Sequence, residues 1–224
     1  MKSKPNPTPP FVIRDCALVT MAVGVKAQSL REFRDGILKV PQDSIYHHFW
    51  GRLLQPQFDE PEFNNDFAAW ARHGLHEKAL AEKLAVVDPV RIKSIDDLRA
   101  ELVEIIEERL DKSEYVPVSR ADQQFHFLKS QIIIFDTGQR VSDPSEFGTA
   151  VKSMTPSSIF YHFVDARRRN PEGIDDFSFW LREKGTECDD LCRRLSTIDL
   201  YFSSLKRIRW LLADIFDRWG EGRS

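Results

Sequence analysis

Hydrophobic and polar positions follow the same order twice along the chain. With a shift of 114 residues, the apolar run CALVTMAVGV at residues 16–25 aligns with SQIIIFDTGQ at residues 130–139. Both runs are rich in β-branched residues and end near a glycine, so we predict two short buried strands. The same shift aligns SIYHHF at residues 44–49 with SIFYHF at residues 158–163. The pattern therefore predicts one structural unit that occurs twice.

Each unit is predicted to continue with helices. Two capping boxes at the same spacing begin the first helix, Ser29 with Glu32 and Asp143 with Glu146. Farther along, a spacing of 110 aligns DFAAW at residues 66–70 with DFSFW at residues 176–180. The later helices are expected to begin near Pro41 and Pro156, near Asp66 and Asp176, and near Ser94 and Leu200, with Gly74 and Gly185 ending the third. Apolar positions in the last helix recur as one buried face.

These elements predict an α+β, predominantly α-helical fold with an internal duplication of a strand-plus-helices unit. A lone strand would leave an exposed edge, whereas two copies with pseudo-twofold symmetry can pair their strands antiparallel. We therefore expect a small central β pairing. The predicted organisation is a disordered tail at 1–10, repeat 1 at 11–111, a linker at 112–124 and repeat 2 at 125–220, with both repeats packed as one globular domain.

Composition restricts the classes of function. The 35 acidic and 32 basic residues give a net charge of −3, which creates no field for bulk binding of nucleic acid or membrane. Nucleic acid and membranes are therefore not expected partners. Three cysteines are an odd number for a disulfide framework, so we predict reduced thiols and a cytoplasmic location. The apolar run 16–25 is not interpreted as an export signal, since Arg14 and Asp15 adjoin it.

Among the six histidines, His48 and His162 occupy matching positions. Ile45, His48 and Phe49 share one helix face, so we favour a structural interpretation in which each imidazole is buried and hydrogen-bonded. In the alternative, the pseudo-twofold brings His48 and His162 together as metal ligands or as an acid–base pair. No further ligand type repeats beside them, so we predict no metal site and no cofactor.

Two other sets of residues are candidates for binding. Trp70 and Trp180 also match across the repeat, and core packing is the favoured interpretation, because a stacking platform for a sugar or base would need an exposed ring. Arg167 begins a cluster of three arginines at a predicted helix end, where the helix dipole favours cations. Contact with a phosphate or an acidic partner is the alternative for this cluster.

The strand, the SIYHHF or SIFYHF helix, the DFAAW or DFSFW helix and the terminal amphipathic helix together resemble an uncharacterised bacterial family, a domain of unknown function. The resemblance extends over nearly the whole chain after residue 10. In that family another histidine follows the doublet, whereas Phe49 and Trp50 follow here, which weakens the metal-centre interpretation. The resemblance implies a fold and supplies no reaction, substrate or ligand.

For function, we expect a non-catalytic cytoplasmic binding or accessory module that acts beside a metabolic enzyme and has a protein partner. This expectation rests on the lack of a repeated set of nucleophile, base and oxyanion donors. The alternative is an enzyme that binds a metal or small ligand at the pseudo-twofold through His48 and His162. Tyr46, Arg52 and Arg167 are the helpers in that alternative. The sequence does not indicate an oligomeric state.

Overall fold

The computed structural model describes residues 8–54, 62–112 and 120–222. Within these residues the fold is mostly helical, with a two-stranded antiparallel sheet. The strands are β1, Phe11–Ala27, and β2, Phe125–Val141. The prediction of an α+β, predominantly helical fold with a β pairing is confirmed. Most of the predicted tail and linker, residues 1–7 and 113–119, lies outside the described residues.

The α-helices follow the two strands in two groups. After β1 come α1 Leu30–Lys39, α2 Gln42–Trp50, α3 Asp66–His73, α4 Lys78–Ala85 and α5 Ile95–Asp111. After β2 come α6 Phe147–Ser153, α7 Pro156–Ile159, α8 Ala166–Arg169, α9 Asp176–Lys184, α10 Asp189–Ser196 and α11 Leu205–Glu221. A π-helical segment, Phe160–Asp165, connects α7 directly to α8. In the described part of the chain, no helix combines the length and apolar character that crossing a bilayer requires.

Local capping explains where several helices begin. The Ser29 hydroxyl accepts from the backbone N–H of Glu32, and the Glu32 carboxylate accepts from the backbone N–H of Ser29. Asp143 and Glu146 form the second capping box, ahead of a 3₁₀ turn that leads into α6. Both predicted capping boxes are confirmed. The last helix begins five residues later than predicted, because the Ser204 side chain accepts from the N–H of Arg207 and caps α11.

The strands are longer and more exposed than the sequence predicts. Each spans 17 residues, and residues 133–140 of β2 are all exposed. The prediction of short buried strands is therefore wrong. The prediction fails because β-branched residues favour extended backbone whether or not a second layer of structure covers them. Gly24 and Gly138 adopt positive φ values of 80° and 77°, which inside an antiparallel strand are typical of a β-bulge.

The chain forms two compact units whose boundaries fall within the strands. The first unit comprises Leu18–Ile132 and contains α1–α5. The second unit comprises the chain from Ile133 onward together with the segment that ends at Ala17, and it contains α6–α11. Each unit therefore includes part of both strands, whereas the predicted repeats each contain one whole strand.

Each unit has an aromatic core to which a strand contributes. In the first unit, the ring of Phe125 from β2 lies 5.0 Å from that of Phe33 and 5.7 Å from that of Phe67. In the second unit, the ring of Phe11 from β1 lies 5.2 Å from those of Phe147 and Phe177. The start of β2 thus completes the core of the earlier helices, and the start of β1 completes the core of the later ones.

Candidate functional site

His48 is buried in the first unit, and both of its ring nitrogens are hydrogen-bonded. Nδ1 lies 2.9 Å from Oδ2 of Asp66, and Nε2 accepts from the backbone N–H of Leu128 at 3.0 Å. A backbone N–H can only donate, so Nε2 carries the lone pair and the ring proton lies on Nδ1, from which Asp66 accepts. His48 therefore connects α3 to β2, with Nδ1 as the donor and Nε2 as the acceptor.

His162 has the same arrangement in the second unit. Its Nδ1 lies 2.8 Å from Oδ2 of Asp176, and its Nε2 accepts from the backbone N–H of Arg14 at 2.9 Å. The same donor argument assigns the proton to Nδ1. Each histidine is thus held by a carboxylate at the start of a helix and by a strand that is distant in sequence.

Neighbouring caps leave the two carboxylates available to the histidines. Asn65 and Asp175 cap α3 and α9, each accepting a backbone N–H at 2.8 Å. Asp66 and Asp176 are the first helical residues, and their side chains bond the imidazoles. The sequence predicts these helix starts but not the pairing of the two aspartates with the histidines. The sequence contains a signal for this pairing, since both the aspartates and the histidines match across the repeat.

An arginine lies beside each histidine-bound carboxylate. In the first unit, Nε of Arg52 is 3.5 Å from Oδ1 of Asp66. In the second unit, Arg169 donates to Oδ2 of Asp176 at 3.0 Å, and its guanidinium carbon lies 3.9 Å from the ring centroid of Tyr161. Arg52 was a predicted helper of His48, and the structure brings the two to the same carboxylate. Arg169 was not predicted.

The other predicted helpers lie at different places in their units. A terminal nitrogen of Arg167 lies 3.8 Å from Oδ2 of Asp175, the cap of α9. Burial lowers the pKa of Arg167 and raises the pKa of Asp175. Tyr46 is buried, and its ring centroid lies 6.3 Å from that of Trp50. Arg167 therefore lies beside the cap of α9, and Tyr46 lies beside Trp50 within α2.

Trp70 and Trp180 are both buried and hold the chain just before a strand begins. The indole N–H of Trp70 donates to the carbonyl of Gln123, and that of Trp180 donates to the carbonyl of Pro9, each at 2.7 Å. A stacking platform needs an exposed ring face, which neither buried indole provides. Gly74 permits this packing, since a Cβ there would lie 2.6 Å from Nε1 of Trp70.

The ligand atoms of His47, His48 and Asp66 lie within 4.8 Å of one another, which is close enough to consider a metal ion. A metal bound to Nδ1 of His48 would force the ring proton onto Nε2, where it would oppose the N–H of Leu128. The second unit has Tyr161 where the first has His47. The hydrogen bonding therefore favours a structural role for His48 over metal ligation.

His47 is also buried in the first unit. Its Nδ1 lies 2.5 Å from Oγ of Ser130, and a Cβ at position 51 would lie 2.7 Å from that nitrogen, so Gly51 leaves space for the ring. Burial, with a smaller contribution from His48, lowers the pKa of His47 from 6.5 to about 4. His47 is therefore neutral at pH 7.

We expect His47 to make the free energy of unfolding depend on pH. The unfolded state takes up a proton near pH 6.5 and the folded state near pH 4, so this stability is complete above pH 6.5 and is lost as the pH falls to about 4. The loss has a slope of at most about 1.4 kcal/mol per pH unit. In urea unfolding between pH 7 and 4, His47→Gln should lack this component. Equal pH dependence in both proteins would contradict the assignment.

The fold and the two histidine arrangements define a mostly helical α+β protein in which one buried histidine of each unit is hydrogen-bonded to an aspartate and to a strand. The chain matches DUF5752, a family of unknown function, over residues 8–217, and it belongs to that family. It is similar to the structure of OrfY from Thermoproteus tenax, with 25% sequence identity and a TM-score of 0.80. That likeness covers 95% of this chain and 96% of OrfY. No curated protein matched the sequence.

Proposed function

We propose that the protein is a non-catalytic binding module that binds a partner protein through the exposed part of β2. The observation that carries this proposal is a run of three apolar side chains, Ile133, Ile134 and Phe135, whose exposed fractions are 51%, 44% and 48%. We call these three residues the ribbon patch. Successive residues of a strand point to opposite faces, so the ribbon patch exposes apolar surface on both faces. Large exposed apolar patches are typical of protein-binding surfaces.

The histidine arrangements support the non-catalytic part of the proposal. A general acid–base or metal-binding histidine needs a ring nitrogen that can face a substrate or an ion. In His48 and His162, both nitrogens are already bonded to a carboxylate and a strand. The enzyme alternative therefore has less support than the binding module.

The partner that fits the ribbon patch is a protein segment in extended conformation. In the described residues the sheet has two strands, so the outer edge of each strand has no strand neighbour. An extended segment can add to such an edge through backbone hydrogen bonds, and side-chain pockets then provide selectivity. Asp136 and Arg140, which pair at 2.6 Å, add charge beside the ribbon patch and oppose uncontrolled edge-to-edge association.

The internal duplication and the cytoplasmic location are further parts of this proposal. The duplication is supported by strand partners that are 114 residues apart, Leu128 with Arg14 and Gln123 with Pro9, each bonded to a matching histidine or tryptophan. The cytoplasmic location is supported by three free cysteines, Cys16, Cys188 and Cys192. The partner in the proposal is an enzyme of the same compartment.

We expect the double variant Ile133→Thr/Phe135→Thr to lose the partner. Threonine retains β propensity and removes apolar surface from one strand face, so affinity should fall at least about tenfold, which corresponds to about 1.4 kcal/mol. The partner would be captured from host lysate with wild-type protein and identified by mass spectrometry. It would then be purified, and its binding measured by calorimetry.

The matched control is Val86→Thr, because Val86 is 75% exposed and lies at the end of α4, away from the strands in sequence. This variant should bind the purified partner as wild type does. Circular dichroism would verify that each variant is folded. Equal affinity of wild type and the double variant would reject the ribbon patch as the binding surface.

A further inference from the structure

The first unit has an acidic groove on the outer side of α5. Its volume is about 580 Å³, within the range of roughly 300–1,000 Å³ that is typical of ligand-binding clefts. Apolar side chains from α1 and α5 form part of its lining, namely Leu38, Ala100 and Val103. The charged lining residues are Asp96, Arg99, Glu104, Glu107, Glu108 and Asp111. Five carboxylates therefore face one guanidinium around an apolar centre.

Part of this negative charge is not balanced within the chain. Glu107 pairs with Arg34 at 3.2 Å, and Glu108 pairs with Lys83 and Lys112 at 2.5 Å. Among the described residues, Glu104 and Asp111 form no ion pair. The α5 groove therefore favours an occupant that combines an apolar group with positive charge.

The second unit carries a surface of that chemistry on α11. Trp210 is 55% exposed, an unusual value for the largest apolar side chain. The guanidinium of Arg207 lies over its ring, 5.1 Å from the centroid. Lys206 and Arg207 are exposed and form no ion pair with any residue that the structure describes. Tryptophan and arginine are the residues most enriched at energetically dominant positions of protein interfaces.

The two surfaces occupy matching positions of the repeat and have opposite character. At the spacing of 110 that aligns the last helices, Ala100 falls on Trp210 and Asp96 falls on Lys206. A small residue with an acidic neighbour in α5 therefore corresponds to a large residue with a basic neighbour in α11. Size and charge are complementary between the two helix surfaces.

We infer that α11 of one copy of this protein docks Trp210 into the α5 groove of a second copy. Lys206 and Arg207 of the first copy then face Glu104 and Asp111 of the second. Because the two surfaces differ, the contact is heterologous, and a single contact uses α11 of one copy and the α5 groove of the other. Association should therefore increase with protein concentration, and it should weaken with salt because the paired charges are exposed.

Two variants test each side of the contact separately. Trp210→Ala removes the indole and leaves the groove intact, whereas Ala100→Trp fills the groove and leaves α11 intact. In analytical ultracentrifugation at low salt, wild-type protein should self-associate. The affinity of self-association should be more than tenfold lower for each variant alone. An equimolar mixture should form one-to-one dimers that do not grow, because one intact surface remains on each chain.

The control variant is Phe179→Ala, which removes another exposed aromatic side chain of the second unit and should leave self-association unchanged. Lys206→Glu with Arg207→Glu tests the charged part of the contact, and it replaces Trp210→Ala if that variant does not fold. Wild-type protein that stays monomeric at high concentration, or a variant mixture that does not associate, would overturn the inference. Neither result would affect partner binding at the ribbon patch, so the two proposals can fail independently.

Discussion

Phe11→Ala should destabilise the second unit by about 3–5 kcal/mol, even though Phe11 lies near the start of the chain. The buried ring of Phe11 lies 5.2 Å from Phe147 and Phe177, 4.9 Å from His162 and 6.1 Å from Trp180. All four belong to the second unit. Alanine would leave a cavity among these rings, because a packed aromatic core relaxes only in part.

Phe125→Ala is the matched variant, because Phe125 lies 114 residues after Phe11 and contributes to the other core. Its ring lies 5.0 Å from that of Phe33, 4.7 Å from that of His48 and 5.6 Å from that of Trp70. We expect a loss of similar size, but in the first unit. Phe11→Ala therefore tests the core of the second unit, and Phe125→Ala tests the core of the first.

Hydrogen exchange measured by mass spectrometry distinguishes these effects. Phe11→Ala should increase amide exchange in α6–α11 more than in α1–α5, and Phe125→Ala should produce the reverse pattern. If Phe11→Ala instead increased exchange mainly in α1–α5, the helices that follow it in sequence, the assignment of β1 to the later core would be incorrect. Each profile serves as the control for the other.

The starts of several helices could be predicted from sequence because their signals are local. The capping box of Ser29 with Glu32 lies within four residues, and Asp66 marks the first residue of α3 as predicted. The burial of the strands could not be predicted in the same way. The apolar residues 16–25 and 130–139 have strong β propensity, but whether a helix layer covers them depends on chain segments that are distant in sequence.

At the candidate site, the two histidines could be predicted from the sequence, whereas their backbone hydrogen-bond donors could not. Matching positions identified His48 and His162, and the structural interpretation predicted that each imidazole is buried and hydrogen-bonded. The sequence does not indicate that Nε2 accepts from Leu128 or Arg14, since each of those residues contributes only its backbone N–H. A backbone donor has no residue-type signal, so three-dimensional coordinates are needed to identify it.

His162→Leu should lower the free energy of unfolding by about 2–4 kcal/mol. Leucine fills much of the volume of the ring but leaves Asp176 without its imidazole partner and the N–H of Arg14 without an acceptor. An unsatisfied buried polar group costs about 1–3 kcal/mol. The cost at Asp176 should lie at the lower end of this range, because its carboxylate is 24% exposed and still accepts from Arg169 at 3.0 Å. Urea unfolding followed by circular dichroism would measure the loss. His48→Leu should have a comparable effect in the first unit.

Two polar variants separate the hydrogen bonds of His162. The amide of asparagine can replace Nδ1–H as the donor to Asp176, whereas the carbonyl of glutamine can replace Nε2 as the acceptor from Arg14. Each should retain one bond and lose roughly 1–2 kcal/mol less stability than leucine does. Partner binding through the ribbon patch should survive in both variants. His162 connects α9 to β1 and, in this proposal, does not contact the partner. Loss of binding in a variant that remains folded would instead assign His162 a direct functional role.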